Sequence, residues 1–338
     1  MNILAFGEVM MRLTPPHYKL IEQTDSVDLS FSGTGLNIAS NLSRFGYDST
    51  VMTSLPDNQV GRAASSYMRK LNVIDTHVVY EGNHIGLYFL EMGYGGRPAE
   101  VTYLNRSESS FSKSHKRNFN LDKAILDADI IHLCGISLML SESVRETTHY
   151  IAKKASQLNK TVCFDFNYRP SISNEKNHYW VKEHYEKILP YCDIVFGGIR
   201  DLTELLDFTL EEESTNLIED LRVLSQLFLE RYDLTFFSGT IRDYENEKQR
   251  LTGFIRSKKE GFLTSDGHEL SILDRIGTGD AFASGIITGF IEKWSAEQTL
   301  RFAISNAVLA HTTYGDTPVV NKKLVEGHMN GNQNNLLR

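Results

Sequence analysis

The stretch DRIGTGDAFASGI, Asp274–Ile286, sets Gly277, Thr278, Gly279 and Asp280 directly ahead of a run of small and apolar residues that reads as a helix. A helix N-terminus leaves backbone N–H groups without partners and carries partial positive charge, and glycines let an anion approach that backbone closely. Taken as four residues, the element admits two readings. It is an oxyanion site with a base beside it, or an ordinary N-cap preceded by turn glycines. The first matches the needs of phosphoryl transfer to an alcohol: Asp280 takes the hydroxyl proton while the amides of Gly277 to Asp280 steady charge on the transferring group. No GxxxxGK[ST] occurs in the chain, so any nucleotide is held without a Walker loop.

Around this junction, short apolar runs alternate with longer amphipathic ones, the pattern of a mostly parallel sheet covered by helices. NILAFG opens as a strand, LNIASNLSRFG follows as a helix stopped by Gly46, and STVMTSL precedes the helical VGRAASSYMRKLNV. ADIIHLCGI, TVCFDF, CDIVFGG and LTFFSG are runs of strand length ending in Gly or a polar turn. The carboxyl ends of such strands are where open α/β sheets bind ligands. Two segments, about 14–31 and 84–106, break the rhythm with partial alternation and Gly-rich turns, and are expected to form a small antiparallel sheet standing off a single domain spanning 1–338.

With 338 residues, 41% of them hydrophobic, the chain can bury a large core. Its net charge of -8 argues against nucleic acid or an anionic membrane as partner. Cys134, Cys163 and Cys192 form no CxxC pair, so neither a disulfide framework nor a zinc cluster is expected, and a reducing cytoplasm fits. The opening MNILAFGEVMMRL has no basic leader region and reads as a first strand. No apolar run approaches the roughly 18 residues of a membrane span. His132 and His311 sit in apolar or helical settings that suit hydrogen-bonded structural roles, and the tail NGNQNNLLR is expected to fray.

DRIGTGDAFASG resembles the carboxyl-terminal signature of the ribokinase-like (PfkB) sugar kinases, and FSGTGLNIASNLSRFG resembles their amino-terminal Gly-Gly-x-x-x-Asn element. Within that family GEVMMRLTPP, GLYFLEMG, IHLCGI and DFNYRP are similar to the 2-keto-3-deoxygluconate kinase branch. The resemblance spans nearly the whole chain. It implies a three-layer α/β/α sandwich with a small β-sheet lid, often carrying dimer contacts, and an activity that uses ATP and Mg²⁺. By position it implies Asp280 as catalytic base, Gly277, Thr278 and Gly279 as anion hole, and Gly33, Asn37 and Tyr88 in the sugar pocket. Arg106 matches the lid arginine and Arg169 the arginine ending a core strand. Two arginines converging on a pocket suit a carboxylate, which the guanidinium fork binds bidentately, and so favour a sugar acid. The alternative for either is a surface salt bridge.

The chain departs from the family in three places. In TYLNR, Leu104 stands two residues before Arg106 and Tyr103 one earlier, a shift that in a strand sends the Tyr103 ring to the face away from the sugar. Where the family tends to carry Asn-x-x-Glu supporting Mg²⁺ through water, this chain has Gly198 and Asp201, and Asp201 equally suits a helix N-cap. On the adenine side Gly239 matches, but RDYENEKQR follows it and reads as a solvated loop; Asn306 flanks the expected adenine pocket or serves helix packing. The expectation is an ATP-dependent kinase acting on the terminal hydroxyl of 2-keto-3-deoxygluconate. A neutral ketose such as fructose or another hexonate is the alternative substrate, and a sugar-binding regulator without catalysis the alternative class.

Overall fold

The computed structural model describes residues 1–169, 177–210, 214, 216–245 and 248–331. Pro170 of the DFNYRP run and residues 332–338 of the polar tail fall outside them.

The strands are β1 (Asn2–Phe6), β2 (Met10–Thr14), β3 (Asp28–Ser32), β4 (Asp48–Leu55), β5 (Val78–Tyr80), β6 (Leu87–Glu91), β7 (Glu100–Leu104), β8 (Ile130–Cys134), β9 (Thr161–Asp165), β10 (Ile194–Phe196), β11 (Phe236–Glu245), β12 (Lys248–Ser257), β13 (Gly261–Thr264) and β14 (His268–Glu269). The longer helices are α1 (Thr34–Arg44), α2 (Gln59–Lys70), α3 (Glu142–Gln157), α4 (His178–Ile188), α5 (Leu217–Tyr232), α6 (Thr278–Ile291), α7 (Ala296–Ala310) and α8 (Lys322–Met329).

The main sheet runs β13-β12-β11-β10-β9-β8-β1-β4-β5, with β14 also paired to β12. From β11 to β5 every pairing is parallel, and β12 to β14 add an antiparallel edge. Parallel strands covered on both faces send successive side chains into two different cores. Ile131, Leu133, Phe164 and Val195 pack with α3, α4 and α5, whereas Ile130, Cys163, Ile194 and Phe196 pack with α1, α6, α7 and α8. The three layers follow from that alternation. α6 and α7 lie close because Gly285 and Gly289 face Ala303 and Thr299, where an added Cβ would meet Ala303 Cα at 2.4 Å and Thr299 Oγ1 at 2.3 Å.

His132, inside β8, is fully buried with neither ring nitrogen hydrogen-bonded among the described residues, and burial pushes it down to about 3, so it stays neutral. The hydrogen bond expected of it is therefore missing. The three cysteines are free and buried.

A second sheet, in the order β3-β2-β6-β7, draws on both irregular segments and begins earlier than expected, at Met10. It is mixed: β2–β3 and β6–β7 are antiparallel, β2–β6 parallel. Its register separates two faces. Met10, Tyr88, Val101 and Tyr103 turn to a cavity, whereas Leu13, Leu29, Leu87, Phe89 and Leu104 form the opposite, apolar face.

Candidate active site

Two helix N-termini meet beneath the second sheet. Gly33 caps α1 and Gly277 caps α6. Gly277 has φ +76, and a Cβ there would fall 1.7 Å from the Asp316 carbonyl oxygen, so this corner admits only glycine. In the first turn of α6, Asp280 accepts a hydrogen bond from Asn37 Nδ2 at 2.7 Å. Thr317 Oγ1 donates to Asn37 Oδ1 at 3.1 Å, which fixes the amide so that its nitrogen meets the carboxylate. The other oxygen of Asp280 has no hydrogen bond among the described residues. Burial raises the Asp280 carboxyl well above its ordinary value; the Asn37 bond opposes this, Asp165 and Asp316 add to it, and Arg169 opposes it.

These groups line a cavity of about 860 Å³ at the carboxyl ends of the parallel strands. Gly33, Asn37, Tyr88, Arg106, Arg169, Asp201, Gly277, Gly279 and Asp280, each expected from the sequence, all line it. Thr278 does not: it is buried, and its hydroxyl donates to the Arg275 carbonyl at 3.0 Å. Gly239 is buried in β11, where a Cβ would lie 1.9 Å from the Gly197 carbonyl oxygen, so the close approach of two strands accounts for it. Asn306 is buried in α7 and donates to Asn41 Oδ1 at 2.6 Å and the Ala281 carbonyl at 2.7 Å, tying α1 to α6. Neither lines the cavity.

The arginines differ. Arg169 is exposed and has no ion pair among the described residues. Arg106 Nε donates to Glu8 Oε2 at 2.8 Å, and Glu8, itself buried, also accepts from Ser109 at 2.7 Å. The Arg106 charge is thus balanced from inside the protein, leaving Nη1 buried without a hydrogen bond.

Two expectations are overturned. The Tyr103 ring was expected on the far face, but Tyr103 pairs directly with Tyr88 across β6–β7, lines the cavity, and lies under Arg106 at 5.0 Å, while Leu104 points away. The strand's register, not the spacing to Arg106, decides the face, because the chain leaves β7 through Asn105 in a left-handed turn. The run RDYENEKQR is not a solvated loop: Arg242 to Glu245 and Lys248 to Arg250 continue the β11–β12 hairpin.

Asp165 and Asp316 escaped the sequence reading, and Asp201 sits otherwise than its N-cap alternative implies. Asp165 ends β9 and lines the cavity, and burial pushes its carboxyl up to about 7, with Arg169 opposing and Asp201 adding. Asp201, expected as a possible N-cap, instead accepts from the Gly198 amide upstream at 2.8 Å; burial pushes it up to about 6. Asp316, also on the cavity, accepts from the Tyr88 hydroxyl, to which Ser32 Oγ donates at 2.7 Å. Buried Arg12 joins Asp316 to Asp274, the latter at 2.7 Å, clamping the second sheet onto the loop ahead of α6. Asp165 closes the apolar run TVCFD, which was the available signal, whereas Asp316 in AHTTYGD follows a polar turn and carried none.

Together these groups can accept a hydroxyl proton at Asp280, hold an anion on the first amides of α6, and attract a carboxylate at Arg169. Among the described residues no group of three or more His, Cys, Asp or Glu could hold a metal ion by itself, and no helix is long and apolar enough to cross a membrane.

The sequence profile of the pfkB family carbohydrate kinases matches residues 1–227. A candidate 2-keto-3-deoxygluconate kinase from Enterococcus faecalis is similar in structure, with a TM-score of 0.95 and 42% identity over 100% of this chain and 99% of that one. The 2-dehydro-3-deoxygluconokinase of Thermotoga maritima gives 0.91 and 28% over 98% and 100%. The 2-dehydro-3-deoxygalactonokinase of Haloferax volcanii is 27% identical over 98% of this chain and 97% of its own length.

Proposed function

This chain belongs to the pfkB family of carbohydrate kinases, and from that premise we propose that it transfers the γ-phosphoryl group of Mg-ATP to the terminal hydroxyl of 2-keto-3-deoxygluconate. The observation that carries the reading is the Asp280 carboxylate. It is oriented by Asn37, raised by burial, and set in the first turn of α6 beside Gly277 and Gly279, on a cavity that also holds Arg169.

A carboxyl raised by burial is a stronger base once ionised, and general-base catalysis is worth about 10²–10⁴-fold. In the proposed complex the sugar lies between the second sheet and the strand ends, with its terminal hydroxyl at the free oxygen of Asp280 and its carboxylate at Arg169. The hydroxyl oxygen attacks the γ-phosphorus as its proton passes to Asp280, and the α6 amides hold the equatorial oxygens. Asp201 has one oxygen engaged by Gly198 and faces the cavity, which suits a magnesium ion held mainly by phosphates and water with one or two carboxylates. Magnesium there supplies charge neutralisation on the polyphosphate. The second sheet acts as a lid that excludes water. Its apolar outer face, with Leu29 55% and Leu104 44% exposed, supports pairing of two chains through their lids.

A coupled ADP-release assay tests the reading, presenting 2-keto-3-deoxygluconate, its galactonate epimer, gluconate, fructose and ribose. Turnover with the keto-deoxy acid, reduced at least about a hundredfold in Asp280→Asn, is the expected result. Preference for a neutral ketose would overturn the role of Arg169; near-normal turnover in Asp280→Asn would overturn the role of the base.

A further inference from the structure

The β11–β12 hairpin carries a second cationic group to the flank of the anion hole. Arg242 pairs across the hairpin with Leu251, which is buried in the cluster containing Phe282 and Ile304, so this face of the hairpin turns toward the start of α6. Arg242 Nη2 donates to Thr278 Oγ1 at 3.0 Å and to His311 Nε2 at 2.9 Å. His311 Nδ1 donates to the Ala307 carbonyl at 2.7 Å, which makes Nε2 the acceptor, and burial with the Arg242 charge pushes the ring down to about 4. His311 is therefore neutral.

Both partners of Arg242 fix its position without balancing its charge. Its Nε and Nη1 make no hydrogen bond among the described residues, and no carboxylate there forms an ion pair with it. The residue is exposed at the surface, but desolvation of its guanidinium first, then the positive charge of Arg275, lower it to about 10, so it remains a cation at neutral pH. Arg275 is exposed, lines the large cavity, and likewise has no ion pair among the described residues. Two other arginines near the site are balanced, since Arg12 meets Asp274 and Asp316 and Arg106 meets Glu8, whereas Arg169, like Arg242, has no ion pair among the described residues. A cation held beside a helix N-terminus by neutral groups, with a second, unpaired cation repelling it from nearby, leaves a site whose electrostatics are completed by an anion.

We propose that Arg242, with Arg275, binds the phosphates that stay with the nucleotide on the flank of the Gly277–Gly279 hole. This rests on the kinase reading above and adds a residue to it. In the transfer, the bond from the sugar oxygen to the γ-phosphorus forms and the bond from that phosphorus to the β,γ-bridging oxygen breaks. The hydroxyl proton goes to Asp280, and the electron pair of the broken bond remains on ADP. Arg242 meets that charge through its free Nε and Nη1, in the geometry a guanidinium offers to phosphate oxygens.

The test is calorimetric titration of ADP into the wild type, Arg242→Gln and Arg242→Lys at low and high salt, alongside steady-state kinetics. Arg242→Gln is expected to weaken ADP at least about tenfold and to raise KM for ATP similarly, with KM for the sugar within about twofold. Arg242→Lys, which keeps the charge, should recover part of the loss, and the ratio between wild type and Gln variant should shrink at high salt. Unchanged ADP affinity in Arg242→Gln overturns the proposal. So do Gln and Lys variants equally weakened by a salt-independent factor, since Arg242 would then merely prop Thr278. A wild type that binds no ADP removes the kinase reading and the proposal with it, whereas ADP binding without turnover on any sugar removes only the former's substrate. Should Arg242→Gln fail to fold, Arg275→Gln carries the same comparison, because its side chain makes no hydrogen bond among the described residues.

Discussion

The lid side of the cavity and its strand-end side each present an arginine, and the two have opposite electrostatic standing. Arg106, beneath the second sheet, is buried against Glu8, which Ser109 also holds. Arg169, past the end of β9, is exposed and lowers the carboxyls of Asp165, Asp201 and Asp280 from a distance without pairing to any of them. A cation in the sequence gives the sign of a charge; only the fold tells whether that charge is already balanced. Arg106 secures the lid and Arg169 remains available to a ligand.

The most forceful way to break this contrast is at the buried pair. Arg106→Met leaves Glu8 buried without its partner, which typically destabilises by about 3–5 kcal/mol. A large fall in the urea midpoint is expected, partly reversed in the double variant Arg106→Met, Glu8→Gln, since the stranded charge is then gone. A single variant as stable as the wild type would show that Arg106 is as free as Arg169. At the other end, Arg169→Met should leave the unfolding midpoint nearly unchanged and raise KM for the keto-deoxy acid by about 10- to 100-fold, the loss of one hydrogen-bonded charge pair. The same substitution should alter KM for fructose far less. Equal effects on acid and neutral sugars would remove the carboxylate from Arg169.

The contrast also explains what could be read in advance. The alternation of short apolar runs with amphipathic helices, and GTGD at the mouth of one helix, are local patterns, and they placed the sheet, Gly277, Gly279 and Asp280 in the fold. What escaped is set by pairing between distant segments. Tyr103 turned toward the cavity because β7 pairs in register with β6, which the count of residues to Arg106 does not encode. Arg242 looked solvated within RDYENEKQR, yet β11, paired with β12, brings its guanidinium to Thr278, 36 positions along the chain. Glu8 and Arg106 lie 98 positions apart, so the sequence offered no sign that one neutralises the other. Gly239 and Asn306 matched a pattern at positions where backbone approach and helix packing supply the reason for the residue.

The smallest expected effect probes how far Arg169 compensates the carboxylates around it. Asp165 is raised from the ordinary carboxylate range to about 7, chiefly by burial, although Arg169 opposes the shift. A folded-state value above the unfolded one means that the folded protein binds the proton more tightly. The stabilisation is then full below about pH 4 and is lost as the pH rises toward 7. Asp165→Asn keeps an oxygen for the Asn167 amide, which lies 3.0 Å from Asp165 Oδ1, and removes the charge. Its melting temperature should exceed that of the wild type at pH 8 by about 2 °C, with the advantage shrinking as the pH falls and gone below about pH 4. In Arg169→Met the advantage of Asn at this position should grow, because only the Asn167 hydrogen bonds then oppose the rise of the buried carboxyl. If Asp165→Asn were instead less stable at pH 8, Arg169 would be pairing with Asp165 closely enough to stabilise its charge, and the strand-end arginine would be no freer than the one beneath the lid.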